Sequence, residues 1–472
     1  MRRVSTNPGR KLVEWFKSQF GLRTNVLRPV PEYSMNPLYW LGALTAMAFG
    51  LQALTGLLML IYYVPTVDQA YSSTQYIIQY VPLGQLLESI HLYGAYAMIL
   101  LALLHLFRGY FVSVQKRPRQ MMWVIGMLMG LTVLGLGLTG YLLPWTVVSK
   151  SATDVSIGML SFLPAQIGPI LTFLIAGDGS STGELTRFFD LHIIVLPAAL
   201  LSLLALKMFL FEAHGPAGAV SGPANTKEIP WFPSVYLYFA MLGCVFIGVL
   251  IVIASIFPIV LPVQFSAAAA SNYVPQPEWY FLWMYQILKF ASFEGSGIYF
   301  ALGLVTLILA GLVLLPFLDR GSERNPKSRP LYVTIGLVAI AELLVLTIWG
   351  YLTPGQVISD ANAFAVIGMT ALAVALVSAY FFRSRLQAKV TNIRGRLLKL
   401  LLTPFKNRWM TSVFLIFLWL ASVSFANIVA FLSGGAGASP GLILNLAALS
   451  VSFYLMLRIL RNLTLVQRSN AR

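Results

Sequence analysis

Ten runs of roughly twenty residues, nearly all apolar, recur along this chain and limit what it can fold into. They lie at 39–63, 88–110, 121–142, 187–211, 235–261, 296–317, 331–352, 361–382, 409–432 and 441–461. About 20 consecutive apolar residues cross the hydrocarbon of a bilayer as a helix. Lipid offers no hydrogen-bond partners, so a spanning segment must be helical or part of a closed barrel. Barrel strands alternate apolar and polar residues, and these runs do not. Composition agrees: 58% of the 472 residues are hydrophobic and 10% are charged, against about 25% charged in a soluble domain. The expected fold class is an all-α polytopic membrane protein with ten spans.

The net charge of +16 would suggest nucleic acid in a soluble protein. Here the cations lie between spans, so no nucleic-acid partner is expected and membrane lipids are. One side carries Arg2, Arg3, Arg10 and Lys11, the 111–120 loop with Lys116, Arg117 and Arg119, and the 318–330 loop with Arg320, Arg324, Lys327 and Arg329. It also carries Arg383, Arg385, Lys389, Arg394, Arg396 and Lys399. The basic side is expected to be cytoplasmic, with both termini inside a prokaryotic cell membrane. No cleaved signal is expected, because the basic N-terminus lacks a short apolar core and cleavage site. The single cysteine, Cys244, excludes an internal disulfide, a CxxC zinc site and covalent haem attachment.

Five regions follow. Residues 1–38 form a basic N-terminus in which 9–21 reads as an amphipathic surface helix, with Leu12, Phe16 and Phe20 on one face. Residues 39–215 hold the first four spans and 216–383 the next four. A basic connector at 384–408 precedes two further spans in 409–472. Long loops at 143–186 and 262–295 face the other side, and loops of that length are usually functional or packed.

All four histidines fall in two segments. His91 and His105 are fourteen residues apart on the second span, and His192 and His214 lie on or beside the fourth. Fourteen helical residues advance about 21 Å and return nearly to the same face. Two imidazoles so placed, opposite a partner helix with its own pair, can hold two stacked haems, each iron taking one ligand from each helix. Glycines repeat the spacing: Gly42 and Gly56 on the first span, Gly126 and Gly140 on the third. A flat macrocycle between helices needs backbone without side chains at its own depth. Ordinary close packing of helices also uses small residues; the shared spacing favours the haem reading.

Several stretches then carry a resemblance: LQALTGLLMLIYYVP at 51–65, GYLLPW at 140–145, LTRFFDLH at 185–192, PEWYF at 277–281 and NPKSRP at 325–330. The chain resembles cytochrome b of the quinol-oxidising cytochrome bc complexes over about residues 9–383, as a divergent or archaeal member. The resemblance implies a di-haem four-helix bundle in which His91 and His192 ligate the outer haem. It implies that Arg187 neutralises that haem's propionates and that Arg108 does so for the inner haem. It places an outer quinol site among GYLLPW, the helix after it and PEWYF. There Glu278 accepts a proton, and Tyr141 and Tyr280 orient the head group. A rival reading has Glu278 merely capping the helix at Trp279. His214 is implied at an inner quinone site.

Two departures stand out. The family places its inner-haem histidine fourteen or fifteen residues after the first, and here those positions are Leu206 and Lys207. Three readings stay open. Lys207 ligates iron opposite His105 as a neutral amine; Lys207 only snorkels its ammonium to the surface; or His214 replaces the ligand, about 10 Å further along. Second, Glu88 stands three residues before His91 where the family usually has arginine, so either propionate pairing there is rebuilt or the carboxylates are partly protonated, which a strongly acidic outer medium would favour.

The expectation is the cytochrome b subunit of a prokaryotic quinol-oxidising complex. Its two non-covalent haems would be b-type, or a-type with the same ligands. With one cysteine, the chain needs a separate Rieske iron–sulfur protein. Further expected partners are an electron-accepting cytochrome or copper protein, or a terminal oxidase docked on the last two spans, in a dimer or supercomplex. The alternative is a haem-bearing electron-transfer or scaffold subunit of an oxidase supercomplex with one quinone site impaired.

Overall fold

The computed structural model describes residues 29–160, 162–163, 167–177, 180–215 and 227–382. The expected surface helix at 9–21, the connector at 384–408 and the spans at 409–432 and 441–461 lie outside these residues. Among the described residues, eight helices are long and apolar enough to cross a membrane. They coincide with the first eight runs read from the sequence.

We number the helices in chain order. They are α1 (Leu41–Leu60), α2 (Ala70–Tyr80), α3 (Gly84–Phe111), α4 (Gln120–Leu142), α5 (Val147–Leu160), α6 (Ile167–Ala176), α7 (Ser181–Asp190) and α8 (Leu196–His214). Then come α9 (Tyr236–Ile256), α10 (Leu282–Leu288), α11 (Ile298–Leu318), α12 (Pro330–Leu352) and α13 (Asp360–Phe381). A two-residue antiparallel ladder pairs Val30 with Ile229 and Pro31 with Glu228. The described residues fall into two compact units. One takes those within 1–160, 165–271 and 312–320, the other those within 161–164, 272–311 and 321–472.

In the first unit α1 packs on α3 and α4 packs on α8. The loop at 143–186 is built, as its length suggests, from α5 and α6. A short extended segment fastens it: Val147 N–H donates to Val263 O at 2.9 Å, and Phe265 N–H donates to Trp145 O at 3.0 Å. Leu142, Trp145, Leu185 and Phe188 form an apolar cluster beneath it. The opposite end is tied by polar contacts. Lys116 pairs with Asp319, and Arg119 donates to the carbonyls of His214 and Gly215, both at 3.3 Å. In the second unit α12 packs against both α10 and α13.

One local irregularity sets register. Between α7 and α8, residues Leu191–Val195 form a π-turn, and Leu196 N–H donates to Leu191 O. Pro197 follows and has no N–H to continue the ordinary ladder. A π-turn inserts one residue into an α-helix. Fifteen residues from His192 therefore span what fourteen span on α3, and Lys207 rather than Leu206 is in register with His105.

The turn from α2 to α3 is closely packed. A Cβ added at Gly84 would lie 1.8 Å from Ile77 O, and overpacking of this kind costs about 1–3 kcal/mol. Gly84→Ala is expected to lower the apparent melting temperature in detergent by several degrees, measured by loss of soluble protein on heating. Wild-type melting would contradict so close an approach.

Candidate functional site

The site is built from four helices of the first unit and two donors at each of two levels. At the first level the rings of His91 on α3 and His192 in the π-turn lie 6.3 Å apart between centroids, at an interplanar angle of 71°. An imidazole-to-metal bond is about 2.0 Å, so two rings flanking one metal have centroids about 6 Å apart. The observed separation matches that requirement.

The tautomers can be assigned from hydrogen bonds. Thr55 Oγ1 donates to Leu51 O at 2.8 Å, so towards the His91 Nδ1 at 2.8 Å it acts as acceptor. His192 Nδ1 lies 3.1 Å from Leu136 O, which can only accept. Thr139 Oγ1, which donates to Gly135 O at 2.9 Å, also lies 3.2 Å from that nitrogen. Both histidines therefore carry their proton on Nδ1 and present the Nε2 lone pair to a metal. Orienting contacts of this kind fix metal-binding imidazoles.

Each donor faces a glycine. A Cβ at Gly56 would meet His91 at 3.3 Å, and one at Gly140 would meet His192 at 2.5 Å. At the second level a Cβ at Gly42 would meet the His105 ring at 3.1 Å, and one at Gly126 would meet Lys207 Nζ at 3.3 Å. The four glycines of the sequence reading thus face the four nitrogen donors one to one. Lys207 turns its ammonium towards α4, not along its own helix to the end. His105 Nδ1 is buried and has no hydrogen-bond partner among the described residues. This level has no counterpart of the threonines, because Leu41 and Ile125 precede its glycines.

Among the described residues no three His, Cys, Asp or Glu side chains converge on a bare-ion site. A haem iron, which needs only two axial donors from the protein, suits the donor set. α8 continues without a break to His214, whose Nδ1 donates to Leu210 O at 2.9 Å. That leaves His214 about 10 Å beyond Lys207 along the axis.

The expected propionate partners are held by rings. The Arg108 guanidinium lies 4.0 Å from the Tyr39 ring centroid, and that of Arg187 lies 5.9 Å from Phe173. Tyr141 lies in the last turn of α4 in the first unit, whereas Glu278 and Tyr280 belong to the second. Glu278 is the N-cap residue of the short turn Trp279–Phe281, but its side chain makes no capping bond. Tyr280 is buried; burial, helped by the Glu278 charge, pushes its phenol well above the ordinary value. The Tyr63 hydroxyl donates to Leu143 O at 2.8 Å.

The sequence reading missed Thr55 and Thr139. A signal was present: the dipeptide Thr-Gly occurs at both 55–56 and 139–140.

Comparison with known proteins gives the family and the fold. Residues 26–215 match the family described as Cytochrome b/b6/petB, and residues 272–372 match Cytochrome b(C-terminal)/b6/petD. A "Cytochrome bc complex cytochrome b subunit" of Chlorobaculum thiosulfatiphilum is 32% identical over 348 residues, 71% of this chain and 79% of that protein. "Cytochrome b" of Sulfolobus acidocaldarius is 30% identical over 432 residues, covering 84% of this chain and 76% of the relative. A solved structure titled "Hyperthermophilic respiratory Complex III" shares the fold, with TM-score 0.64 at 24% identity over 79% of this chain and 97% of that one.

Among the described residues Thr55 is the hydroxyl that meets the His91 Nδ1, so Thr55→Val is expected to weaken metal-centre retention at this level by about 10–100-fold. The measurement is haem content after dilution into detergent. Unchanged retention would remove Thr55 from the site.

Proposed function

The chain belongs to the cytochrome b family as the cytochrome b subunit of a respiratory bc-type quinol-oxidising complex, and we propose that it holds two haems through His91–His192 and His105–Lys207. The family implies b-type haems. The carrying observation is the one-to-one facing of Gly56, Gly140, Gly42 and Gly126 with the four donors. Bound haems supply one-electron carriers at two depths.

His91 and His192 offer Nε2 lone pairs held in place by Thr55, Thr139 and the Leu136 carbonyl. His105 and Lys207 form the second pair. As a ligand the Lys207 amine must be neutral. Three observations favour ligation over the other two readings. The amine points at Gly126 as the imidazoles point at their glycines, the π-turn brings Lys207 into register, and the unbroken helix carries His214 past this level. Among the described residues neither Arg108 nor Arg187 forms an ion pair. Each is assigned to a propionate, which a guanidinium can bind through two hydrogen bonds.

Quinol oxidation releases two electrons and two protons. Glu278, not engaged in capping, is assigned as a proton acceptor. Tyr280, whose phenol stays protonated, is assigned to orient the quinol head group. His214 is assigned to an inner quinone site, at the end where Lys116 and Arg119 lie. That basic end is assigned to the cytoplasm, and quinol oxidation to the other side. With one cysteine in the chain, a separate Rieske iron–sulfur protein must take the first electron, and a cytochrome or copper protein or a terminal oxidase takes it onward. The last two spans are assigned to docking such a subunit within a dimer or supercomplex.

Lys207→Ala is expected to abolish one of two low-spin haem signals in low-temperature magnetic resonance, and Lys207→His to return it in bis-histidine form. Two unaltered signals in Lys207→Ala would contradict ligation. Glu278→Gln is expected to lower kcat for quinol oxidation by about 10²-fold or more with haem content intact; turnover at the wild-type rate would remove Glu278 from proton transfer.

A further inference from the structure

A second group of ionisable side chains is buried in the first unit, away from the haem ligands. Lys150 lies on α5, five residues after Trp145 of GYLLPW. Its side chain is 9% exposed and its ammonium is shared by two carboxylates. Glu184 on α7, 7% exposed, places Oε2 at 3.2 Å from Lys150 Nζ. Asp154, one turn along α5 from Lys150, pairs with the same ammonium and is 50% exposed. The rings of Trp145 and Phe265 stand 5.7 Å from Lys150 Nζ.

An acid in the first turn of a helix is ordinary and favoured by the dipole. This one is unusual in two respects. It is buried, and Glu184 Oε1 has no hydrogen-bond partner among the described residues. One ammonium is shared by two carboxylates, so it cannot fully balance both; Asp154 has water to share its charge, whereas buried Glu184 depends on Lys150 or on a proton. The neighbours do not offset its charge. α4, α6 and residues 262–271 carry no charged side chain; on α7 Arg187 and Asp190 follow Glu184, the π-turn after it adds His192, and the 61–69 segment that stacks Tyr63 on Phe189 adds only the acid Asp68. A proton on Glu184 balances the cluster while Lys150 stays with Asp154. When that proton leaves, Lys150 can turn its charge to Glu184. Asp154, half in water, opens the group to solvent.

We propose that Glu184, Lys150 and Asp154 form a proton-loading cluster that receives a proton released by quinol oxidation and passes it to water on that side of the membrane. This rests on the reading that quinol is oxidised at the His91–His192 end. The balance is simple: quinol gives quinone, two electrons and two protons. The electrons go to the acceptors of the complex. One proton converts the Glu184 carboxylate to a carboxyl, which then releases it through Asp154. Glu184 is a relay and positioning residue, not a group that touches quinol.

The test uses the intact complex. Infrared titration of the resting wild type is expected to show a buried-carboxyl C=O band that declines as pH rises and is lost in Glu184→Gln. The same variant is expected to lose one ionisation from the pH profile of kcat, with KM for quinol and haem content unchanged. Asp154→Asn is expected to slow hydrogen–deuterium exchange of the band. A merely structural ion pair would leave the pH profile and the infrared titration of Glu184→Gln as in wild type, and that result overturns the proposal. Should Glu184→Gln fail to assemble, the wild type and Asp154→Asn decide it: no titrating carboxyl band, or one whose exchange Asp154→Asn leaves unaltered, is also contrary. A wild-type complex that does not oxidise quinol sinks the functional reading, whereas an unaltered titration in Glu184→Gln sinks the cluster alone.

Discussion

A nitrogen donor facing bare backbone is the contact on which the rest of the first unit depends. A flat ligand between helices requires that the helix behind each donor carry no side chain at that depth. Gly56 and Gly42 supply this on α1 for His91 and His105, and Gly140 and Gly126 supply it on α4 for His192 and Lys207. The pairing of α1 with α3 and of α4 with α8 follows. So does the common fourteen-residue spacing, about 21 Å of helix, which sets two levels rather than one.

The two levels are not equivalent. His91 and His192 have their tautomers fixed by Thr55, Thr139 and the Leu136 carbonyl. His105 has a buried Nδ1 without a partner among the described residues, and its opposite donor is an amine on a flexible stem. A fixed imidazole costs little further ordering when it binds a metal. A lysine must lose both a proton and rotamer freedom. On the proposed ligation the second level is the less preorganised, and the π-turn at Leu191–Val195 is what brings Lys207 into register with His105.

The spans were readable because a bilayer demands long apolar runs, and eight of the ten recur as helices among the described residues. His91, His105 and the four glycines were readable because helical periodicity is local. The π-turn was visible only as Pro197 and an extra residue of spacing. Thr55 and Thr139 lie 36 and 53 residues from the histidines they touch, and Lys150 is 34 positions from Glu184. No periodicity links such pairs; packing alone brings them together. The rival reading of Glu278 as a cap needed side-chain geometry to be set aside.

The central claim is that this cytochrome b carries one bis-histidine centre and one histidine–lysine centre. Near-infrared magnetic circular dichroism of the oxidised wild-type protein, with haem quantified on the same sample, tests it most directly. The account predicts two haems per chain and two low-spin charge-transfer bands, one at the energy of bis-imidazole ligation and one at that of imidazole–amine ligation. A single bis-imidazole band, or one haem per chain, would contradict it.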